Sequence, residues 1–264
     1  MIYTFNEYHL GDNLIHLNYL RKASILNPDK EFTHHCQVQY HEQLKPIIDE
    51  FPIYLKDLSI HPNSVNTWIG VNNFFYQHPQ CRHWVNFHLD WFTYLSSVLG
   101  IANPIAAKRD LLFDYPALTA RTFEPFDYLI INSPPMSGQL PDFNPQYFVK
   151  MVQGLVNLGQ KVITTHPTGL ANSTLEWGMD VTQIGNLSNY CQHIIAIDTG
   201  PMWTTFNTYN AYSVLSRTIY GRTSDTIDLT ANTVCYQKLW FFSGGIELGV
   251  THSNDPSPIK KPEV

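Results

Sequence analysis

The sequence is short of charge. Only 14% of its 264 residues are Asp, Glu, Lys or Arg, and 16 basic against 22 acidic residues leave a net charge of −6. It has no basic stripe, and the only Lys-Lys pair is Lys260-Lys261 near the end. Duplex nucleic acid is held mainly by clustered Lys and Arg on its phosphates, so no such partner is expected. The four cysteines, Cys36, Cys81, Cys191 and Cys235, lack the CxxC spacing of a zinc site and suggest no disulfide framework. No apolar run approaches the roughly 18 residues of a membrane span. The start, Met1-Ile2-Tyr3-Thr4-Phe5, has neither the basic nor the apolar region of a signal peptide. The expectation is a cytoplasmic protein with no transmembrane segment.

What is present is a 44% hydrophobic chain in which strand and helix patterns alternate. Residues 2–6 read as a strand, 12–26 as a helix, 31–36 as a strand, 39–50 as a helix, 65–71 as a strand and 83–99 as an aromatic-rich helix stopped by Gly100. The pattern restarts with a strand at 127–132, a helix at 144–158 and a strand at 161–165. A short helix at 187–192, a strand at 193–198, a long helix at 201–215 and a strand at 217–220 follow. Such alternation implies an α/β fold with parallel sheets and helical crossovers. A non-periodic stretch at 115–126, bracketed by Pro116 and Pro125, divides the chain at 1–120 and 121–250. Residues 251–264, with Pro256, Pro258 and Pro262, read as a loose tail.

Two segments carry the chemistry. His9-Leu10-Gly11-Asp12-Asn13 joins the first strand to the first helix, with a glycine for the turn and an aspartate where the helix starts. That aspartate reads either as a helix cap or as a reactive carboxylate. Ile197-Asp198-Thr199-Gly200-Pro201-Met202 is a strand, a glycine turn and a proline-started helix, whose free amides and dipole suit a phosphate or diphosphate. In two facing α/β halves, ligands bind beyond the carboxyl ends of the strands.

Taken together, these segments resemble glycosyltransferase family 9, the heptosyltransferase-like group. The stretch Gly185 to Phe206 is similar to that family's short helix, apolar strand and D-[ST]-G-P-M-H segment. Leu10-Gly11-Asp12 with its helix is similar to the family's N-terminal Gly-Asp loop, and Phe126 to Thr168 to the opening of its second domain. The resemblance implies a GT-B-like fold: two Rossmann-like domains whose parallel sheets face an interdomain cleft, 1–120 on the acceptor side and 121–250 binding the donor. It implies transfer of a sugar from a nucleoside-diphosphate sugar to a hydroxyl acceptor (a glycan, a lipid-linked or a small molecule), with inversion and no cofactor. Asp12 would be the base. Asp198, Thr199, Gly200, Pro201 and Met202 would form the diphosphate loop, Asp198 shaping it, with Ser133 and Ser137 as further donors. No DxD pair is present, so no metal is expected.

The sequence also departs from the family pattern. Trp203 stands where the family has His, and the loop Ser133-Pro134-Pro135-Met136-Ser137-Gly138 lacks the usual phosphate-facing Lys or Arg. Gly11, Asn13, His16, His166 and Trp203 are the remaining candidates for substrate contact. Trp203 would pack on the donor sugar or base, and His166 would face the nucleotide from a strand end. Trp240 to Gly245 would cross back to the first domain. Two other readings stay open: a non-catalytic nucleotide-sugar binding protein, and a GT-B-type sugar-nucleotide epimerase.

Overall fold

The computed structural model describes residues 1–71, 74–79, 83–135, 143–220, 227, 229–230 and 232–236. Ser137, the 240–245 stretch and the 251–264 tail lie outside them. The first half runs β1 (Ile2–Asn6), α1 (Leu10–Leu26), β2 (Phe32–Cys36), α2 (His41–Ile48), β3 (Ile53–Asp57), β4 (Val65–Asn66), α3 (Phe74–Gln77) and α4 (Trp84–Leu99). The second runs β5 (Phe126–Ile131), α5 (Pro145–Asn157), β6 (Val162–Thr164), β7 (Asn172–Ser173), α6 (Val181–Ser188), β8 (Cys191–Ile197), α7 (Gly200–Trp203), β9 (Ser216–Tyr220) and β10 (Thr233–Tyr236).

Every named strand pair is parallel, in two sheets ordered β3-β2-β1-β4 and β10-β9-β8-β5-β6-β7. In each sheet the chain leaves its first strand toward one edge and later returns to that strand's other side. The order therefore reverses between β1 and β4 and between β5 and β8, the positions where open α/β sheets hold ligands.

Local chemistry explains where the elements differ from expectation. α6 starts at Val181, not near Leu187, because Asp180 accepts from the Thr182 and Gln183 amides (2.8 Å each) and Gln183 Oε1 accepts from Asp180 N. That capping box fixes the start. The long helix expected over 201–215 is a single turn. Thr204 Oγ1 donates to Val181 O (2.7 Å), Thr205 Oγ1 to Met202 O, and Asn207 Oδ1 takes the Tyr209 and Asn210 amides. Side chains of this kind draw the backbone out of helix. The Phe206 carbonyl also accepts from Phe113 N (2.9 Å), and Thr208 N donates to Phe113 O (2.9 Å). The 65–71 strand shrinks to Val65–Asn66, and β3, β7 and β10 come from stretches not read as strands.

Residues 105–119 form a buried strap. Leu111, Phe113, Tyr115 and Leu118 are 0–5% exposed. The strap is stitched to α1 by Asn18 Nδ2 to Leu111 O, Lys22 Nζ to Leu112 O (2.8 Å) and the Arg21–Asp114 ion pair. On its other side Asn186 and Asn189 donate to Leu118 O. One apolar core, from Leu14 and Trp91 through Phe113 to Ile184 and Met202, thus runs under both sheets.

Gly185 of α6 sits against this strap. A Cβ there would lie 2.8 Å from Tyr115 Oη, 2.9 Å from Leu118 Cδ2 and 2.9 Å from Thr204 O. Gly185→Ala is therefore expected to cost ~1–3 kcal/mol by overpacking, lowering Tm by roughly 2–12 °C at ~2–4 °C per kcal/mol. Gly154→Ala in α5 meets open space and should raise stability by about 0.5–1 kcal/mol. Calorimetric melting of both variants checks the pair; equal Tm changes would refute the strap contact.

Candidate functional site

α1 begins at Leu10 with His9 as its cap residue. Asp12 is thus in the first turn and is not the N-cap itself, although its carboxylate accepts from the His9 backbone amide. Its position in the first turn of a 17-residue helix suits a negative charge. Burial raises its pKa, while the neighbouring His9 imidazole and the His9 and Asp12 backbone amides pull the other way.

A buried polar layer fixes the loop that carries it. Asn13 Nδ2 donates to Tyr8 O (3.3 Å) and His9 O (3.0 Å), and Asn13 Oδ1 lies 3.0 Å from His34 Nε2. His34 Nε2 must be the protonated nitrogen there, so Nδ1 accepts from Thr4 Oγ1 at 2.9 Å. Asn6 Oδ1 accepts from Tyr8 N, and Asn6 Nδ2 donates to Thr67 Oγ1 across the β1/β4 reversal. His16 Nε2 accepts from Trp91 Nε1 (3.2 Å), a donor-only group, so its Nδ1 carries the proton and donates to Asp12 O at 2.6 Å.

Neither Asn13 (0% exposed) nor His16 (1%) can touch a substrate. That expectation is corrected: both hold the loop from beneath, and His16 bonds the backbone of Asp12, not its carboxylate.

The second loop follows β8. Asp198 N donates to Tyr220 O (2.9 Å), which ties the end of β8 to β9. Thr199 is the cap residue of α7, and its Oγ1 donates weakly to Ile197 O at 3.4 Å. One helical turn carries little dipole, so any anion held here depends on local amides. The Met202 amide is already given to Thr199 O (3.0 Å) and its side chain is 1% exposed; Pro201 has no N–H. Met202 and Pro201 are therefore corrected from donors to framework, which leaves Thr199 and Gly200. Ser133, after β5, donates its hydroxyl to Thr165 Oγ1 (2.9 Å), so toward a ligand it offers lone pairs.

The two loops press on each other. A Cβ on Gly11 would lie 3.1 Å from Trp203 Nε1 and 3.7 Å from Gly200 Cα; one on Gly200 would lie 3.1 Å from Leu10 Cδ2. Trp203 is 6% exposed and stacks on Trp84 of α4, ring centroids 4.7 Å apart. The expected contact of Trp203 with a donor sugar or base is replaced by this seal between the halves.

His166, at the carboxyl end of β6, is half-buried on the same rim as Ser133 and Asp198–Gly200. The supporting residues Asn6, His34, Thr67, Asn132 and Thr165 escaped the sequence reading. An Asn ending a strand beside a loop (Asn6, Asn132) was the available signal. Among the described residues no cluster of three or more His, Cys, Asp or Glu could hold a metal, and no helix is long and apolar enough to cross a membrane.

Two parallel sheets with loops meeting at both reversal points define a GT-B-like α/β fold, the fold of heptosyltransferases. The chain resembles Escherichia coli heptosyltransferase WaaC with ADP-2-deoxy-2-fluoro heptose (TM-score 0.54, 10% identity, 89% of this chain and 93% of that one). It also resembles the dodecameric iron-containing heptosyltransferase TibC of enterotoxigenic E. coli H10407, in complex with ADP-D-beta-D-heptose (TM-score 0.53, 14% identity, 93% of this chain). Against TibC it spans 63% of that chain's length. A family 9 glycosyl transferase from Veillonella parvula DSM 2008 aligns with TM-score 0.50 and 11% identity, over 89% of this chain and 85% of that one. No family model and no curated protein matches the sequence.

Burial holds three histidines neutral: His16 is pushed down to about 4, and His34 and His88 to about 3. Unfolded histidine protonates near 6.5. The stability these sites confer is therefore complete above about pH 6.5 and is lost as pH falls toward their folded values, at up to ~1.4 kcal/mol per pH unit per histidine. Urea denaturation at pH 7 and pH 5 should show a loss of several kcal/mol, and His34→Gln should reduce its slope by about one proton. A flat profile would contradict the buried network. Trp203→Ala should cost ~3–5 kcal/mol as a core truncation; calorimetry showing under ~1 kcal/mol would remove Trp203 from the core.

Proposed function

We propose that this chain is a glycosyltransferase that moves a sugar from a nucleoside-diphosphate sugar to a hydroxyl acceptor, without a metal and with inversion. The observation that carries the reading is the meeting of the Gly11-Asp12 loop with the Thr199-Gly200 loop, each at the reversal point of its own sheet. Residues 1–120 would hold the acceptor (a glycan, a lipid-linked or a small molecule) and residues 121–250 the donor.

Asp12 takes the proton of the acceptor hydroxyl as that oxygen attacks the anomeric carbon. Partial burial raises its basicity, as a base working near neutral pH needs. The bond to the diphosphate breaks on the opposite face, and the Thr199 and Gly200 amides receive the growing negative charge. Gly200 without a side chain lets the backbone come close. The heptosyltransferase neighbours' complexes with ADP-heptose and its 2-deoxy-2-fluoro analogue make an ADP-sugar the first donor to try.

A second reading, a nucleotide-sugar binding protein without turnover, is favoured by one observation. The described rim residues 132–135, 165–171 and 198–201 contain no Lys or Arg. The tests separate the two. With donor and acceptor and no metal, Asp12→Asn should lower kcat by ~10²–10⁴ while donor affinity changes less than about threefold. A nucleoside diphosphate near 100 Kd should stabilise the wild type by ~2.7 kcal/mol in a melting assay. Binding without transfer to any acceptor would establish the second reading. No shift with ADP, GDP, UDP or CDP would overturn both.

A further inference from the structure

The carboxyl rim of the six-stranded sheet holds a polar network directed at a single peptide. Asn132 Oδ1 accepts from His166 N at 2.8 Å and Asn132 Nδ2 donates to His166 O at 3.0 Å, so one buried amide grips both ends of the same residue's backbone. Thr164 Oγ1 donates to the same carbonyl at 2.9 Å. Thr165 Oγ1 accepts from Asn132 N (3.0 Å) and from Ser133 Oγ (2.9 Å) and faces Asn132 Oδ1 at 3.3 Å. Asn132, Thr164 and Thr165 are 0–4% exposed. Two buried side chains, with Thr165 steadying Asn132, thus fix the backbone of a half-exposed histidine whose imidazole makes no hydrogen bond among the described residues. Such support from beneath is how a binding side chain is held ready.

Its place is also defined. β6 neighbours β5, and β5 neighbours β8. At ~4.8 Å per strand, the end of β6 stands about 5 Å from that of β5 and about 10 Å from that of β8. A diphosphate whose outer phosphate meets Thr199-Gly200 would bring its inner one toward Ser133 and His166.

We propose that His166, in its protonated form, binds the donor's phosphate nearer the nucleoside and supplies the positive charge that no Lys or Arg of the described rim provides. The inference rests on the donor-site reading above and adds to it a named cation. The charged groups on neighbouring elements are Asp198 after β8 and Glu176 after β7, the latter held by Ser173 N (3.1 Å) and Oγ (2.7 Å). From the other half come Asp12 and His9 of the α1 loop. A bound phosphate would favour the imidazolium.

The experiment is calorimetric titration of ADP, GDP, UDP and CDP, with their nucleosides as controls, at pH 6.0 and 8.0 without metal. Wild type should bind its preferred diphosphate about tenfold more tightly at pH 6.0, with nucleoside affinity unchanged, as expected where the bound form requires a charged imidazole. The ligand's own terminal phosphate loses its last proton in this range, which by itself would strengthen binding as pH rises. The sign therefore reports the protein. His166→Gln should lose the advantage at low pH, and His166→Lys should bind tightly at both. Melting temperatures of the variants should stay within ~2 °C of wild type, since the side chain is partly exposed. His166→Gln with wild-type affinity and pH profile would overturn the assignment and leave the donor site standing. Absence of binding by any diphosphate at either pH would remove the donor site itself.

Discussion

The arrangement depends on a contact that tolerates no extra atoms: the start of α1 against the start of α7. A Cβ added to Gly11 would lie 3.1 Å from the Trp203 indole, and one added to Gly200 3.1 Å from Leu10 Cδ2. A side chain at either glycine would crowd this approach. Trp203 then fills the space beside them and stacks on Trp84, an arrangement worth ~0.5–1.5 kcal/mol beyond its buried area. Once the helix starts are pinned, the spacing between Asp12 and Thr199 is set by covalent geometry and by one turn of helix on each side. Both sheets have their reversal points directed at this junction, and the 105–119 strap closes the core beneath it. The ~10 Å³ cavity between Asn18, Trp84, Phe113 and Trp203 shows how little slack the packing leaves.

This explains how a residue that breaks the sequence pattern came to be misread. At the position of Trp203 an aromatic beside a phosphate loop suggests a ligand platform, and sequence alone carries no information on what lies across the cleft. The alternation of strand and helix, the parallel sheets and the placing of both loops at strand ends were legible, because hydrophobic period and glycine turns are local. What was not legible was decided by competition between local and distant partners. The 201–215 segment has helical apolar spacing, yet Thr204, Thr205 and Asn207 bond elsewhere and Phe113 claims the Phe206 carbonyl. The Asp180-Gln183 capping box, by contrast, is written in local sequence. Asn13 and His16 stood in the right loop, but their burial comes from Tyr8, His34 and Trp91, and only the fold brings those together.

The low charge of the chain takes on a different meaning in this setting. Its interior holds cations where carboxylates are scarce: Arg217, 1% exposed, donates to Thr205 Oγ1 (3.1 Å) and Asn210 Oδ1 (2.6 Å) and lies 4.8 Å from the Phe206 ring, and burial draws its pKa down to about 9. That arginine organises the turns that follow α7, so a positive charge is used to shape the loop and is kept away from its surface. At the described rim the polar groups are amides, hydroxyls, one imidazole and the Asp198 carboxylate, with no Lys or Arg. Neutral donors hold an anion well only where water is excluded and the donors are fixed beforehand, which gives rigidity at this junction a chemical purpose.

The same construction serves each half. Under the first sheet, Asn13 and His16 bond the backbone of residues 8, 9 and 12 and do not engage the Asp12 carboxyl. Under the second, Asn132 and Thr164 bond the backbone of residue 166 and leave its imidazole to the rim. In both, buried amides, hydroxyls or imidazoles bond one another and the backbone above them, so the ordering cost of that backbone is met during folding. A structural histidine or asparagine would be replaceable by an apolar residue of similar shape wherever no loop had to be held. Here the buried polar layers lie beneath the two candidate loops, one at each sheet's carboxyl edge, and their position ties the stability of the fold to the geometry of the site.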